Sequence, residues 1–257
     1  MLHSHPSAAA PIDPPAGEAS PLFRINPDLD LPALAQAYGE HGRVRIYGLL
    51  ADGAVQLHDY LDSRQDWIHL ISTAEGVLEL DPAQKAALAA ERWKEIEAGA
   101  HERARTGFQY RYQALRVPDD DELEGCHDPL TEFARLMQSD AMLDMLRAIT
   151  GHVGVGFTDG QATAYGHDDF LTCHDDDVAG KNRIAAYVYG LTPGWRLEWG
   201  GLLLFHGQAD RTAEALVPRF NTLDLFSVPQ RHSVSTVTPS ATRRRFAVTG
   251  WLRGGQR

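Results

Sequence analysis

The rhythm of hydrophobic and polar positions along this chain changes near residue 150. Before that point the apolar residues fall mostly at helical spacing. Residues 30–38 predict a short helix, and RVRIYGLL from Arg43 predicts a strand leading into a helix over residues 53–61. WIHLI from Trp67 and GVLEL from Gly76 predict a strand pair. Asp81-Pro82 supplies a capping side chain followed by proline at the first helical position. Ala89, Trp93, Ile96 and Ala100 then line up as the apolar stripe of a single helix. Asp128-Pro129 repeats the start signal ahead of a stripe of Leu130, Phe133, Leu136 and Met137. A further helix carries Met142, Leu143, Leu146 and Ile149 and stops at Gly151. Between these helices Phe108, Tyr110 and Tyr112 alternate with Gln109, Arg111 and Gln113, a strand pattern. Its polar face could touch a substrate; the plainer reading is a half-buried strand with a wet face.

From His152 onward short β-rich runs recur between Gly, Asp, Pro and Asn. They are QATAY (161–165), FLTC (170–173), RIAAYVYG (183–190), GLLLF (201–205), TLDLFSV (222–228), HSVSTV (232–237) and RFAVTGWL (245–252). Many short strands with turn signals between them predict a sandwich or barrel. The expected organisation is a tail over residues 1–22, then one unit over 23–257. Within it, 23–150 is a helical support region and 151–257 a β core.

Composition narrows the classes. At 257 residues, with 43% hydrophobic and 23% charged, the chain can bury a sizeable core. A net charge of −11 argues against nucleic acid as a partner and leaves room for a basic protein or peptide. Cys126 and Cys173 stand in unrelated contexts, which predicts a reducing, cytoplasmic setting rather than a disulfide framework. No apolar run is long enough to span a bilayer, so no membrane partner is expected. The first twenty residues hold four prolines and no Lys or Arg, which reads as a disordered tail; His3 and His5 within it read as solvated. The acidic stretch 118–125 reads as a mobile surface loop.

The chemistry concentrates in His174-Asp175-Asp176, His232 and Arg245. If strand alternation continues through this triplet, His174 and Asp176 share a face and Asp175 and Asp177 turn to solvent. Two imidazoles and one carboxylate, with coordination positions left open, are what a non-heme Fe(II) oxygenase uses. A second triplet, His167-Asp168-Asp169, sits in a turn-like stretch beside Gly166. Rigid ligand geometry needs a strand end, so His174 and Asp176 are preferred, and His167 and Asp169 read as polar loop residues. Period-2 counting puts Arg245, Ala247, Thr249 and Trp251 on one face of a strand and Phe246, Val248 and Leu252 on a purely apolar one. A buried Arg suits the distal carboxylate of a 2-oxo acid co-substrate, because its fork pairs bidentately with carboxylate oxygens. An ion pair with a local Asp is the bland alternative. Arg243 and Arg244 read as surface charges.

Read together, Y-x(8)-H-x-D from Tyr165, W-x(4)-G-G-x-L from Trp195, H-x-V from His232 and R-F-A-V-T-G-W from Arg245 resemble the 2-oxoglutarate- and Fe(II)-dependent oxygenases, in the prolyl-hydroxylase branch. The resemblance covers roughly the last third of the chain. It implies a mainly β fold with added α: a double-stranded β-helix, or jelly roll, buttressed by the N-terminal helices. It implies His174, Asp176 and His232 as iron ligands, with no catalytic residue beyond them, and Arg245 as the holder of 2-oxoglutarate. Tyr165, Val234 and Trp251 fall where relatives line the co-substrate pocket. Gly190 departs from the pattern, standing where some relatives carry a tyrosine. The implied reaction uses dioxygen and 2-oxoglutarate, with ascorbate as a reductant, to hydroxylate an unactivated C–H. A prolyl residue of a protein or peptide is the first expectation. A free amino acid, a small natural product, or a non-catalytic jelly-roll binding protein are the alternatives. Asp176 disfavours halogenation, since related halogenases lack this carboxylate.

Overall fold

The computed structural model describes residues 22–117, 126–207 and 212–255. The expected tail and the acidic stretch 118–125 lie outside the described residues, so neither reading is tested.

Local signals set the helix boundaries. Helix α1 (Leu31–His41) begins where the Asp30 carboxylate accepts from the Ala33 amide, and ends at Gly42 in the left-handed region. The single strand expected from Arg43 is two, β2 (Arg43–Tyr47) and β3 (Leu50–Asp52), with Gly48 at φ +63° between them; β3 pairs with the two-residue β1 (Arg24–Ile25), and helix α2 (Ala54–Ser63) follows as expected. Strands β4 (Ile68–Thr73) and β5 (Gly76–Leu80) form the anticipated antiparallel pair. The single helix expected next is two. Helix α3 (Pro82–Ala87) starts with a reciprocal capping box between Asp81 and Gln84, the chain is extended at Leu88 and Ala89, and α4 (Ala90–Ala104) carries the stripe. Helix α3 buries no residue fully, and its contact with α4 is Lys85 lying over the Trp93 ring. After β6 (Tyr110–Arg116), helices α5 (Pro129–Gln138) and α6 (Asp140–Thr150) are capped by Asp128 and Ser139, and α6 stops at Gly151 with φ +73°.

The remaining strands are β7 (Val155–Tyr165), β8 (Phe170–His174), β9 (Arg183–Leu191), β10 (Leu203–His206), β11 (Thr212–Leu216), β12 (Phe220–Ser227), β13 (His232–Val234) and β14 (Arg245–Gly254). Among the described residues twelve strands form one antiparallel sheet, ordered β11-β10-β13-β8-β6-β7-β14-β9-β12-β2, with β4 and β5 branching from β6. The support region therefore contributes more than helices, because β2 bonds to β12, and β6 bonds to both β7 and β8. Strand β6 is the joint at which the sheet curls, bringing β8, β13 and β10 opposite β7, β14 and β9.

The curl separates two apolar layers. Phe246, Val248 and Leu252 of β14 and Tyr187 and Tyr189 of β9 pack outward into the large core with Leu57, Phe133, Met137, Met142 and Leu146 of the helices. Ala247, Ala186 and Val188, on alternate positions, face inward toward Leu203, Phe205 and Phe226. Period-2 alternation thus assigns a layer to each residue of β14 from Arg245 to Leu252, before the register shifts near its end, and the inner layer also holds the polar side chains. No helix among the described residues is long and apolar enough to cross a membrane.

Candidate metal and co-substrate site

Antiparallel pairing of β8 with β13 sets His174 directly across from His232. Their rings are 4.1 Å apart by centroid. Each imidazole is oriented by its own backbone. His174 Nδ1 lies 3.1 Å from the Thr172 carbonyl oxygen, and His232 Nδ1 lies 2.7 Å from that of Gln230. A carbonyl only accepts, so both Nδ1 atoms carry the proton and both Nε2 atoms are left with a lone pair. Asp176 closes the set, its oxygens 3.5 Å from His174 Nε2 and 3.4 Å from His232 Nε2. The three ligand atoms lie within 4.8 Å of one another, close enough to hold one metal ion.

Asp176 reaches this position by a different route from the expected one. Strand β8 ends at His174, and Asp176 has φ +64°. A left-handed residue, not strand alternation, turns the carboxylate back toward the two rings; Asp tolerates that conformation better than most side chains. Asp175 and Asp177 are exposed at the rim, as anticipated. Arg183 Nη1 donates to the Asp176 carbonyl oxygen at 3.1 Å, which fixes the turn from the start of β9.

Electrostatics suit a cation here. Burial alone would raise the Asp176 carboxyl, but the two imidazoles outweigh it and hold the group below the usual carboxylate range. Burial, then the neighbouring His174 ring, pushes His232 down to about 4, so its imidazole is neutral at physiological pH.

Arg245 is 5% exposed and lines the same cavity, of about 460 Å³. Its guanidinium sits 5.1 Å from the Tyr165 ring centre, the residue it faces across the β14–β7 ladder. Among the described residues no carboxylate lies within 4.0 Å of it; Asp224 is already held by Arg45 at 2.6 and 2.8 Å. The bland alternative for Arg245 is thereby removed. Burial depresses its pKa because the cation has no local counter-ion at contact. Room for its stem comes from Gly201, the second of the Gly200-Gly201 pair. Both have positive φ; a Cβ on Gly200 would strike the Thr236 carbonyl oxygen at 2.0 Å, and one on Gly201 would press on Arg245 Cδ at 3.3 Å.

Tyr165, Val234 and Trp251 also line the cavity. Trp251 is covered by the Arg183 guanidinium, 3.6 Å from its ring centre. Gly190 has no space for a larger residue, since a Cβ there would meet the Arg219 carbonyl oxygen at 2.4 Å.

Other expectations are corrected by the structure. Strand β6 presents the opposite face from the one suggested. Phe108, Tyr110 and Tyr112 line the cavity, and Tyr112 stacks on Tyr165 with centroids 5.2 Å apart. Gln109 and Arg111 are buried behind the strand, bonded to the Ser72 carbonyl oxygen and ion-paired with Glu97. His167 and Asp169 do lie in the turn between β7 and β8, as expected, but Asp169 is buried. It is 3% exposed, accepts from the Gly166 amide at 2.8 Å and pairs with Arg111 at 3.4 Å. His167 Nε2 is held by the Ala241 carbonyl oxygen at 2.7 Å. Arg244 is half-buried over the rings of Trp67 and Phe246 rather than free at the surface. Arg183 and the β6 aromatics were not singled out as site residues. The aromatic alternation was the available signal for the latter; nothing local marks Arg183.

Comparison with known proteins adds similarities to this geometry. Residues 160–253 match the 2OG-Fe(II) oxygenase superfamily. The chain is 39% identical over 97 residues to the prolyl 3-hydroxylase OGFOD1 of Xenopus laevis, covering 35% of this chain and 18% of that protein. With the mouse (Mus musculus) protein of the same name it is 30% identical over 155 residues, covering 57% and 28%. The chain thus spans less than a third of the length of either relative. The crystal structure of a Pseudomonas putida prolyl-4-hydroxylase superposes with a TM-score of 0.55 over 88% of this chain and 99% of that one, at 16% identity, a likeness of fold.

Proposed function

From the match of residues 160–253 to the 2OG-Fe(II) oxygenase superfamily, we propose that this chain is an Fe(II)- and 2-oxoglutarate-dependent dioxygenase that hydroxylates a prolyl residue of a protein or peptide. The observation that carries the reading is one cavity holding both a two-imidazole, one-carboxylate cluster and a buried Arg with no carboxylate partner. The donor set fits Fe(II): two neutral imidazole nitrogens and one carboxylate are ligands of intermediate and hard character that leave positions open.

In this reading His174, Asp176 and His232 hold the metal, and Arg245 pairs with the distal carboxylate of 2-oxoglutarate. Tyr165, Val234 and Trp251 form the walls that orient the co-substrate and exclude water. With iron, 2-oxoglutarate and dioxygen bound, the site would supply oxidative chemistry that converts 2-oxoglutarate to succinate and carbon dioxide while oxygen enters a substrate C–H bond. The backbone carbonyls of Thr172 and Gln230 keep both Nδ1 protons in place, so both Nε2 atoms are the ones turned to the metal.

A peptide substrate is supported by the names of the sequence relatives and by the cavity's mouth. Phe108, 54% exposed, offers a flat apolar surface beside His174, with ring centroids 5.4 Å apart. Exposed Asp175 and Asp177 at the rim favour a basic segment around the target residue. We take residues 23–257 as one oxygenase unit acting in a reducing, cytoplasmic setting, in keeping with free Cys126 and Cys173. Ascorbate is proposed as the reductant that sustains turnover; leaving it out should shorten the productive phase without changing the initial rate.

The test mixes the full chain with Fe(II), 2-oxoglutarate and basic proline-containing peptides, and measures succinate together with a gain of one oxygen on the peptide. Asp176→Ala should lose both signals while keeping its circular-dichroism spectrum. Full turnover in that variant would refute the site.

A further inference from the structure

A second cavity lies behind β6, on the face away from the metal cluster. Its volume is about 490 Å³, and its wall includes His69, Lys85, Arg111, Gln113, Arg243 and Arg244. Side-chain alternation along β6 separates it from the first cavity: Tyr110 and Tyr112 face the metal cluster, whereas Arg111 and Gln113 face this one. The chain as a whole carries −11, so a wall with four Lys or Arg side chains and one acid, Asp169, is a local reversal of sign.

The wall has donors without acceptors. His69 is 8% exposed, and its Nε2 faces the Gln113 amide nitrogen at 3.1 Å. An amide nitrogen only donates, so Nε2 is the acceptor and Nδ1 carries the proton. That Nδ1 is buried with no hydrogen-bond partner. Arg111 is 7% exposed, and its Nε and one terminal nitrogen also lack a hydrogen bond, although the side chain is ion-paired with Glu97 and Asp169. Among the described residues Lys85, Arg243 and Arg244 have no carboxylate within 4.0 Å. Lys85 rests on the Trp93 ring, Arg243 donates to the Pro193 carbonyl oxygen, and Arg244 donates to the Gln113 side-chain oxygen. Buried donors normally find partners, and leaving several unmade in one place is costly. Their common missing partner is an anion rich in oxygen acceptors.

We propose that this cavity is a binding site for a phosphate group, either inorganic phosphate or the phosphate of a small phosphomonoester. The donors come from four elements, namely His69 on β4, Lys85 on α3, Arg111 on β6 and Arg244 at the entry to β14. Three cationic side chains and a neutral ring donor in one wall suit the higher charge and additional acceptor oxygens of phosphate better than a single carboxylate. An adjoining cavity of about 340 Å³ shares His69, Lys85, Gln113 and Arg244 and adds Trp67. It gives room and an aromatic wall for the organic part of a phosphomonoester.

The site can be tested independently of the oxygenase chemistry, on metal-free full-length protein. Calorimetric titration with inorganic phosphate, and separately with the phosphomonoesters phosphoserine and glucose 6-phosphate, should show saturable one-to-one binding. Tighter binding of a phosphomonoester than of phosphate would assign the organic ligand; equal or weaker binding would assign the free ion. Lys85→Gln, which lies on α3 away from the metal cluster, and Arg244→Gln should each weaken binding at least tenfold. Arg92→Gln, an exposed cation on α4, serves as the control for net charge and should change it less than twofold. The proposal is overturned if phosphate fails to bind the parent protein, or if Lys85→Gln behaves as Arg92→Gln does. It is equally overturned if binding is lost only on Arg245→Met, which would place phosphate in the co-substrate pocket.

Discussion

Arg245→Met should make the protein more stable and its co-substrate binding much worse. The guanidinium is almost wholly buried, makes no contact ion pair among the described residues and has Tyr165, Ala247, Val234 and Leu203 among its neighbours in the inner layer. Desolvating a cation costs several kcal/mol, and in the absence of 2-oxoglutarate only distant Asp224 and the Tyr165 ring offset it. A methionine of similar length keeps the stem packed beside Gly201 and removes the charge. Replacing buried ionic groups by apolar ones of like volume is neutral to stabilising by about 1–4 kcal/mol. For a chain of this size each kcal/mol moves Tm by about 2–4 °C, so the ligand-free variant should melt a few degrees higher. Binding moves the other way. Losing a buried, bidentate charge pair costs about 2–5 kcal/mol, or roughly 30- to 4000-fold in the KM for 2-oxoglutarate. Thermal melts with and without 2-oxoglutarate, in the presence of a non-reactive divalent metal, read both effects at once. The parent should gain about 2.7 kcal/mol at a hundred times Kd, and the variant at most about 0.9 kcal/mol at the same concentration. A variant that is destabilised without ligand yet keeps the full ligand-induced shift would refute the assignment of Arg245.

Two further changes separate packing from chemistry. Gly201→Ala puts a methyl against Arg245 Cδ, Val237 and Trp195 at 3.1–3.4 Å on a residue with φ +63°. It should cost about 1–2 kcal/mol in urea denaturation and raise the KM for 2-oxoglutarate more than it lowers kcat. Asp169 tests the fold's pH response. Burial, only partly opposed by Arg111, pushes its carboxyl up to about 7. Because the unfolded chain releases this proton first, its contribution to stability is whole below about pH 4 and is lost as pH rises toward 7. Asp169→Asn should flatten that part of the stability–pH curve, and an unchanged slope would mean the carboxylate stays ionised beside Arg111.

Much of this architecture is written locally. Asp81 and Asp128 are caps that declare themselves by the proline that follows, and Gly151 ends its helix where the sequence places the stop, whereas the Ser139 cap and the Gly42 stop, beyond the expected end near residue 38, were not anticipated. The two faces of β14 follow from period 2 alone, which is why Arg245 could be picked from three consecutive arginines. Strand β11 carried no such signal. Its TAEAL sequence lacks β-branched residues after the first and it pairs with β10 alone, so its conformation depends on that neighbour. The break between α3 and α4 is likewise silent, since neither Leu88 nor Ala89 is a helix breaker.

The two least legible features have the same cause. Strand alternation identifies which residues of β6 share a face, but not which face turns inward. That choice is made by partners far away in sequence: Glu97 and Asp169 on Arg111, and Ser72 on Gln109. A polar face with buried, distant partners looks in sequence like one meant for water. Asp176 poses the converse problem. Its pairing with His174 in the sequence suggested a strand, yet the carboxylate reaches both imidazoles only because the strand has ended and φ has changed sign. Holding Asp there is a cost that Arg183 helps to offset through the Asp176 carbonyl. The H-x-D spacing thus reflects a turn geometry anchored from β9, and chemistry at the cluster depends on a residue outside the motif that revealed it.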